Sequence, residues 1–326
     1  MINVKNKVLR IPKSIAMKVT RLILLVFFIQ VNTTFGQFNK MEIANQFYEA
    51  YKALDFLSMV KFWNDSIKYH DPIALEILDF PATLKGKEAL LKMYKNQFKK
   101  KPNYFHLNII DQFLCGDYVV SHVIFESSIS EKEEMLIVKR ELFTILKIQN
   151  GKIVELYNYG DYFNWNNQGK SNFIKKNDTN LLPVKVNVRV VKDFIKAYSQ
   201  ADVEVMSSYY ADNIDFKDLT AKSFFKGDNY ERKGKKNVKL FWKNILVDSK
   251  PKYVNISLDR LFYASECVMI NTGFSMILPS KWTAGRTNVY INIPIKTIFQ
   301  IKGGKIVSQY DFADYNLYEH QITLQK

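Results

Sequence analysis

Much of this chain is written twice, and the repetition decides what it can fold into. Phe47-Tyr48-Glu49-Ala50-Tyr51 returns 147 positions later as Phe194-Ile195-Lys196-Ala197-Tyr198. The same ungapped offset pairs Asp55 with Asp202, Met59 with Met206, Trp63 with Tyr210, Asp65 with Asp212, Ile67 with Ile214, Tyr69 with Phe216 and Asp71 with Asp218. The register drifts by one at Lys85-Gly86-Lys87 against Lys233-Gly234-Lys235. It reaches 153 at Ile148-Gln149-Asn150-Gly151-Lys152-Ile153-Val154 against Ile301-Lys302-Gly303-Gly304-Lys305-Ile306-Val307. Drift confined to the middle means loops of different length on one scaffold. A length of 326 residues with 47% apolar and 14% aromatic content supplies two packed cores.

Each copy has the same layout. Ile43, Phe47, Ala50, Tyr51 and Leu54 recur at helical spacing, as do Val191, Phe194, Ala197 and Tyr198. Asp55 and Asp202 are placed to cap the next short helix, expected over Leu57 to Trp63 in the first copy. A brief strand from Ile67 to Tyr69 and a helix from Lys87 to Phe98 follow. Then come alternating strands over Tyr104 to Phe113, Tyr118 to Ser127, Met135 to Ile148 and Lys152 to Tyr159, separated at Gly116-Asp117 and Asn150-Gly151 by turn residues. Helices first and a strand meander last predict the α+β class, with helices on one face of a strongly curved, mostly antiparallel sheet. The Asn/Lys/Ser/Gly-rich stretch 166–186 is the expected linker between domains at 38–165 and 187–318.

The first 36 residues carry six cations, no acid and an apolar run from Leu22 to Val31 that ends before Gly36-Gln37. This is the order of a secretory signal peptide, with cleavage expected near Gly36, and the run is too short to span a bilayer. Met17 offers a second possible start, and an uncleaved anchor is the alternative. Export implies a periplasmic or secreted protein without stable membrane insertion after cleavage. The remainder keeps 41 Lys and Arg against 32 Asp and Glu, a net +9. Its densest basic groups, Lys99-Lys100-Lys101 and Arg232 to Lys236, lack interleaved aromatics and read as solvated faces, so no nucleic-acid partner is expected. Cys115 and Cys267, one per copy in apolar runs, read as buried free thiols.

A Phe/Tyr-rich helix, a short strand ending in Asp, a Gly-Lys helix start and a final Gly-Lys-Ile-Val hairpin together resemble the nuclear transport factor 2-like superfamily, on its SnoaL-like polyketide cyclase and ketosteroid isomerase branch. The resemblance covers nearly all of the chain after the signal segment. It implies two cone-shaped domains, each with a pocket that is often apolar, paired through their sheets as an internal pseudo-dimer. It also implies a small, largely apolar ligand.

In ketosteroid isomerase-like members an Asp of an Asp-Pro pair after the short strand acts as general base. His70-Asp71-Pro72 stands at that place, and Lys217-Asp218-Leu219 in the second copy. An acid desolvated by apolar walls has a raised pKa suited to proton transfer near neutrality. Asp71 is therefore the candidate base, with His70 beside it, although adjacent strand residues face opposite ways and only one of the two can enter the pocket. The alternative is that both acids cap the turn that follows. The family's oxyanion donors, a first-helix Tyr and a late-strand acid, fall at Phe47 and Phe194 and at Thr144 and Thr297. Phe cannot donate, and one lost donor costs about a hundredfold in rate, which argues against steroid-type isomerisation in either copy.

The candidate ligand contacts are Trp63, Tyr157, Asp161, Tyr210, Asp218 and Asp314. Each has a structural alternative: Trp63 and Tyr210, at equivalent helix positions, fill the cone; Tyr157, Tyr159 and Tyr310 pack the core; Asp161 and Asp314 end strands. His122 reads as a packed sheet-face residue. Arg140 and Arg260 have no clear acidic partners by position, against an epoxide-hydrolase-like Asp-Arg-Asp set. No metal-ligand spacing, phosphate-binding glycine loop or serine nucleophile elbow occurs, so no cofactor and no metal are expected. Three readings stay open: an exported small-molecule binder, a cofactor-independent acid/base enzyme using Asp71, and a structural pseudo-dimer with filled cones.

Overall fold

A computed structural model of the protein describes residues 39–74, 81, 83–131, 134–162, 168, 181–226, 230–263 and 266–325. The expected signal peptide lies outside the described residues, as does most of the expected linker. In the first repeat a helix over 39–52 (α1) is followed by α2 (Phe56–Val60), β1 (Trp63–His70), β2 (Thr83–Lys85) and α3 (Lys87–Gln97). Four long strands complete it: β3 (Phe105–Cys115), β4 (Tyr118–Glu131), β5 (Glu134–Gln149) and β6 (Lys152–Gly160). The second repeat runs α4 (Leu181–Ser199), α5 (Val203–Ser208), β7 (Tyr210–Asp218), α6 (Leu219–Phe225), β8 (Glu231–Lys233) and α7 (Lys235–Lys243). It continues through β9 (Tyr253–Tyr263), β10 (Cys267–Ile277), β11 (Tyr290–Lys302) and β12 (Lys305–Ala313) to a final helix α8 (Tyr315–Leu324).

The expected caps form. Asp55 accepts the backbone N–H of Ser58 and Asp202 that of Val205, each at 3.0 Å, satisfying a first-turn donor of each short helix. Three boundaries differ from expectation. The short helix stops at Val60, and Trp63 opens a strand, because parallel pairing of Trp63 with Ile153 outweighs local helical spacing. Helix α4 starts at Leu181, inside the expected linker, and α8 carries the second domain to Leu324.

Both sheets have six strands in the same order, β2-β1-β6-β5-β4-β3 and β8-β7-β12-β11-β10-β9. Among the described residues only the β1/β6 and β7/β12 pairs are parallel, since each of those connections crosses over helix and meander. Registers coincide between repeats: Tyr69 lies opposite Leu156 and Phe216 opposite Gln309. Alternate strand residues point inward to the helices or outward, and the two faces have different fates. Each inner face joins its own helices in a separate core, around Phe47, Tyr51 and Leu146 in the first domain and around Phe194, Tyr198 and Phe299 in the second.

The outer faces of the two sheets form a third, shared core, in which Phe113, Tyr118, Val120, Ile145 and Tyr159 meet Phe262, Cys267, Met269, Ile298 and Phe312. These are the same five strand positions from each repeat, as an isologous pairing requires. The expected internal pseudo-dimer is thus present in the fold. Both cysteines are buried here as free thiols. The approach is close at Gly116 (φ 59°), where an added Cβ would collide with Ser223 of the other domain, and the next backbone N–H, of Asp117, donates to the Ser223 hydroxyl at 2.8 Å.

One charge breaks the symmetry. Lys296 is fully buried (0% exposed), 5.4 Å above the ring of Phe143, its own repeat counterpart, and 5.2 Å above Phe113. Its Nζ donates to Asp111 of the other domain at 2.6 Å. Burial pulls the ammonium pKa down, and Asp111 opposes that pull. His122 adjoins the other Asp111 oxygen at 3.6 Å and Glu141 at 3.3 Å; burial disfavours the imidazolium, but the two carboxylates prevail and its pKa is raised.

Removing one partner of a buried pair leaves the other uncompensated, at a cost of several kcal/mol. The Asp111 side chain is 41% exposed, so water replaces part of what is lost. Asp111→Asn is expected to lower stability by about 1–3 kcal/mol in urea unfolding, and adding Lys296→Met to recover most of it. A second substitution without effect would show the pair to be idle.

Candidate functional site

Interior side chains of the first domain make a polar, aromatic lining. Trp63 from β1 stacks on Tyr94 from α3, ring centroids 5.8 Å apart, and Tyr51 from α1 meets Tyr94 edge-on at 5.4 Å. Phe47 and Tyr48 are both buried on the inner edge of α1, at 5.4 Å from each other. Arg140 from β5 is buried over the rings of Phe125 and Tyr162, at 5.4 and 5.3 Å. The Tyr48 hydroxyl, the Trp63 indole N–H and the Tyr94 hydroxyl are buried without a hydrogen-bond partner in the protein. Burial pushes both phenol pKa values up, so they stay protonated; the Ser121 and Thr144 hydroxyls near Tyr48 offset only part of this. An unsatisfied buried polar group costs about 1–3 kcal/mol, and native interiors hold few. Here three on aromatic side chains occur in one interior.

Asp71 lies in the same interior, fully buried. It accepts the Tyr69 hydroxyl and the backbone N–H of Ala74, each at 3.0 Å, and the Tyr162 hydroxyl. Burial raises its pKa to about 6, against the pull of these three donors and of Arg140. Asp218 repeats the arrangement: it accepts Tyr315 at 2.5 Å, Thr220 at 3.1 Å and the Ala221 N–H at 2.8 Å, and burial raises its pKa to about 6 as well. In both repeats the carboxylate ties the turn after the first strand to the Tyr that follows the last one.

The second interior differs where the first has its orphaned donors. Trp63 and Tyr94 are replaced by Tyr210 and Trp242, the same ring pair with its order exchanged. The Trp242 indole donates to Tyr210 at 3.0 Å, and Tyr210 to the Gln309 carbonyl at 2.7 Å. The Gln309 amide donates to Asp311 at 3.0 Å, and Thr297 to Asp311 at 2.8 Å. Burial, with Asp218 nearby, pushes Asp311 up to about 7. Ile195 stands in place of Tyr48. The chain of bonds is closed, and none of these side chains lacks a partner.

Several expected site residues lie elsewhere. His70 points away from Asp71 and stacks on Tyr157, rings 4.7 Å apart, while Tyr157 donates to Glu155; strand alternation puts both outside the cone. Tyr159 belongs to the interdomain core, and Tyr310 reaches Asp215 at 3.4 Å beneath Lys217. Asp314 caps α8 through the Leu317 N–H at 2.9 Å, and Asp161 ends β6, its N–H donating to Glu141 at 2.8 Å. His122 packs at the domain interface. Arg140, read as lacking an acidic partner, is within electrostatic reach of Asp71. Thr144 and Thr297 do face inward, but Thr144 donates to Asn158 at 2.9 Å, and the inward acid of the second domain is Asp311, one strand over. Tyr48, Tyr94, Gln309 and Asp311 were not singled out in the sequence. The signal lay in the repeat alignment, which sets Tyr48 against Ile195 and Leu156 against Gln309. Among the described residues no group of His, Cys, Asp and Glu could hold a metal ion, and no helix is long and apolar enough to cross a membrane.

Residues 44–156 match the family model of the SnoaL-like domain. A protein named for the SnoaL-like polyketide cyclases, from Shewanella denitrificans OS-217, is similar in structure at 18% identity over 42% of this chain and 97% of its own, with a TM-score of 0.37. An LEH-like epoxide hydrolase from M. tuberculosis is similar at 11% identity over 43% and 90%, with a TM-score of 0.35. A nuclear transport factor 2-like protein of unknown function from Cytophaga hutchinsonii ATCC 33406 is similar at 14% identity over 45% and 99%, with a TM-score of 0.30. No curated protein sequence matches the chain. The first repeat is a SnoaL-like domain of the nuclear transport factor 2-like fold, and the second, with the same strand order in the same register, is a further copy of that fold.

The raised acids set a pH dependence. A carboxyl whose folded pKa exceeds its unfolded value keeps its proton more tightly when folded, so stability falls as pH rises from the unfolded value, near 4, through the folded one. For Asp71 that window is about pH 4 to 6, and the decline amounts to about 2–3 kcal/mol. Asp71→Asn is expected to remove this share from urea-unfolding stabilities measured across the window, leaving the same-signed shares of Asp218 and Asp311. A profile unchanged by the substitution would contradict the burial of an ionising Asp71.

Proposed function

We propose that the protein is an exported small-molecule binder whose first cone takes the ligand and whose second cone is scaffold. One observation carries this reading: the Tyr48, Trp63 and Tyr94 polar atoms are buried without partners, while the corresponding interior of the second domain satisfies every such group internally. The ligand is a small molecule with a largely apolar body, suited to the rings of Tyr51, Phe125 and Trp63, and an acceptor-bearing edge for the free donors. Membership of the SnoaL-like family supports a cone that holds a small molecule. Export is supported by the basic and then apolar N-terminus.

The enzyme reading rests on Asp71, whose pKa near 6 suits proton transfer. Its three donors argue against it, because the same clamp recurs at Asp218 in an interior where, among the described residues, no aromatic donor is left unpaired. A feature common to both cones belongs to the fold they share.

Native mass spectrometry of residues 37–326 is expected to show an adduct of small-molecule size, displaced on denaturation. Trp63→Phe and Tyr94→Phe, which keep the rings and remove one donor each, are expected to weaken retention by about tenfold. A bare mass that stays bare after incubation with a metabolite extract would make the first cone a scaffold like the second. N-terminal sequencing of secreted material is expected to begin near Gln37, and a retained Leu22 to Val31 run would refute cleavage.

A further inference from the structure

The helical face of the second domain carries apolar residues where the first repeat carries polar ones. Helix α7 and the turn that continues it, Asn244–Asp248, bury Val238, Trp242 and Leu246 in the second core. That periodicity turns Lys236, Leu240, Lys243 and Val247 to the opposite side, where Leu240 is 55% and Val247 44% exposed. Helix α5 lies beside α7, joined to it by the ion pair of Lys239 with Glu204 at 2.6 Å, and adds Val205, 42% exposed. The repeat sets Lys92 against Leu240, Lys99 against Val247 and Ser58 against Val205, with Glu88 against Lys236. The fold therefore accepts polar residues at all three apolar positions, and the aliphatic side chains exposed there in the second copy add nothing to its core.

We propose that this face is a peripheral docking surface for an anionic phospholipid bilayer, with Leu240, Val247 and Val205 entering the headgroup layer and the surrounding lysines on lipid phosphates. Charge argues against a second copy as the occupant. Lys236, Lys243 and Lys250 flank the apolar pair, and Lys196 is exposed near the end of α4, which packs against α5, so two such faces would set cation against cation. The acids on the face, Glu204 and Asp248, are each taken up by a lysine, Lys239 and Lys243, at 2.6 Å. Among the described residues no acid lies in ion-pair range of Lys196, Lys236 or Lys250. Residue type argues against an acidic protein: stable protein contacts centre on Trp, Tyr and Arg and are poor in Lys. A lysine instead suits a bilayer surface, where its CH2 stem lies along partly sunken apolar side chains and its ammonium stays at the phosphates. The run Arg232 to Lys236, a solvated face by composition, supplies Lys236 to this surface.

The test is co-sedimentation of residues 37–326, without the apolar Leu22 to Val31 run that would itself enter a bilayer, with vesicles of phosphatidylcholine alone and of phosphatidylcholine mixed with phosphatidylglycerol. Affinity for the mixed vesicles is expected to be at least about tenfold higher than for the neutral ones, and to fall steeply between about 0.05 M and about 0.5 M NaCl. Leu240→Asn with Val247→Asn is expected to weaken it about tenfold while the thermal midpoint holds, since both side chains are exposed. Lys236→Gln is expected to weaken it about fivefold. Substituting Lys99, Lys100 and Lys101 together by Gln, on the first domain, is expected to leave it within about twofold. Equal affinity for both vesicle types, binding that survives Leu240→Asn with Val247→Asn, or binding lost with the Lys99 to Lys101 substitutions would overturn the proposal. Should the double variant not fold, an affinity unchanged by Lys236→Gln counts against it. Failure to sediment with the mixed vesicles would overturn it as well, and salt-sensitive retention on immobilised polyglutamate would then assign the face to an acidic protein.

Discussion

Two sheet faces buried against each other hold this molecule together. A cone of this kind covers the inner face of its sheet with its own helices but leaves the outer face of the long strands bare. Here that face carries Phe113, Tyr118, Val120, Ile145 and Tyr159, too much apolar surface to leave in water, and the second repeat supplies Phe262, Cys267, Met269, Ile298 and Phe312 to cover it. The sequence Thr144-Ile145-Leu146 shows the consequence for one strand. Ile145 faces the other domain, Leu146 packs toward the helices, and Thr144 lies inward beside Asn158. Strand alternation thus serves two cores at once, and fixing the outer one fixes which residues line the cone.

With the outer faces committed to the partner domain, each interior could change without loss of the pairing, and the two have changed in opposite directions. The first holds Tyr48, Arg140 and Leu156 where the second holds Ile195, Ile293 and Gln309. The first trio adds donors and removes an acceptor. The second supplies the acceptor and links it through Asp311 to Thr297. The Asp71/Tyr162 and Asp218/Tyr315 clamps remain in both. The clamps are shared and the unpartnered donors are not, so the clamps belong to the common architecture and the donors set the first interior apart.

The repeat, the α+β class, the strand meander and the caps at Asp55 and Asp202 were legible because each has a local signature: matched residues, period-two alternation, or an acid at a helix start. The site was less legible, for two physical reasons. Adjacency in sequence suggested His70 beside Asp71, yet alternation sends His70 to Tyr157 on the opposite face. Of the first interior's unpartnered donors the sequence marks Trp63 alone, because Tyr48, Tyr94 and the Leu-for-Gln exchange at 156 and 309 are neutral and carry no chemical motif. An unpaired donor is a property of three dimensions, since the residue reads the same whether or not a partner stands opposite it.

Joining the repeats in one chain also explains the buried lysine. In a symmetric dimer a residue on the axis meets its own copy, so a charge there would face a like charge. Fusion lets the axial position hold Phe143 on one side and Lys296 on the other, ring beneath ammonium. The neighbouring positions follow suit, with Asp111 matched by Arg260 in the repeat, and Arg260 close enough to Glu141 to hold that carboxyl below its usual range, second to the His122 contact. Asp111 and Glu141 thus lie on the first domain and Lys296 and Arg260 on the second. Two first domains paired in the same way would set Asp111 opposite no cation, and two second domains would bring Lys296 toward Arg260. Hydrophobic burial makes the sheets pair, and this charge division favours a first domain paired with a second.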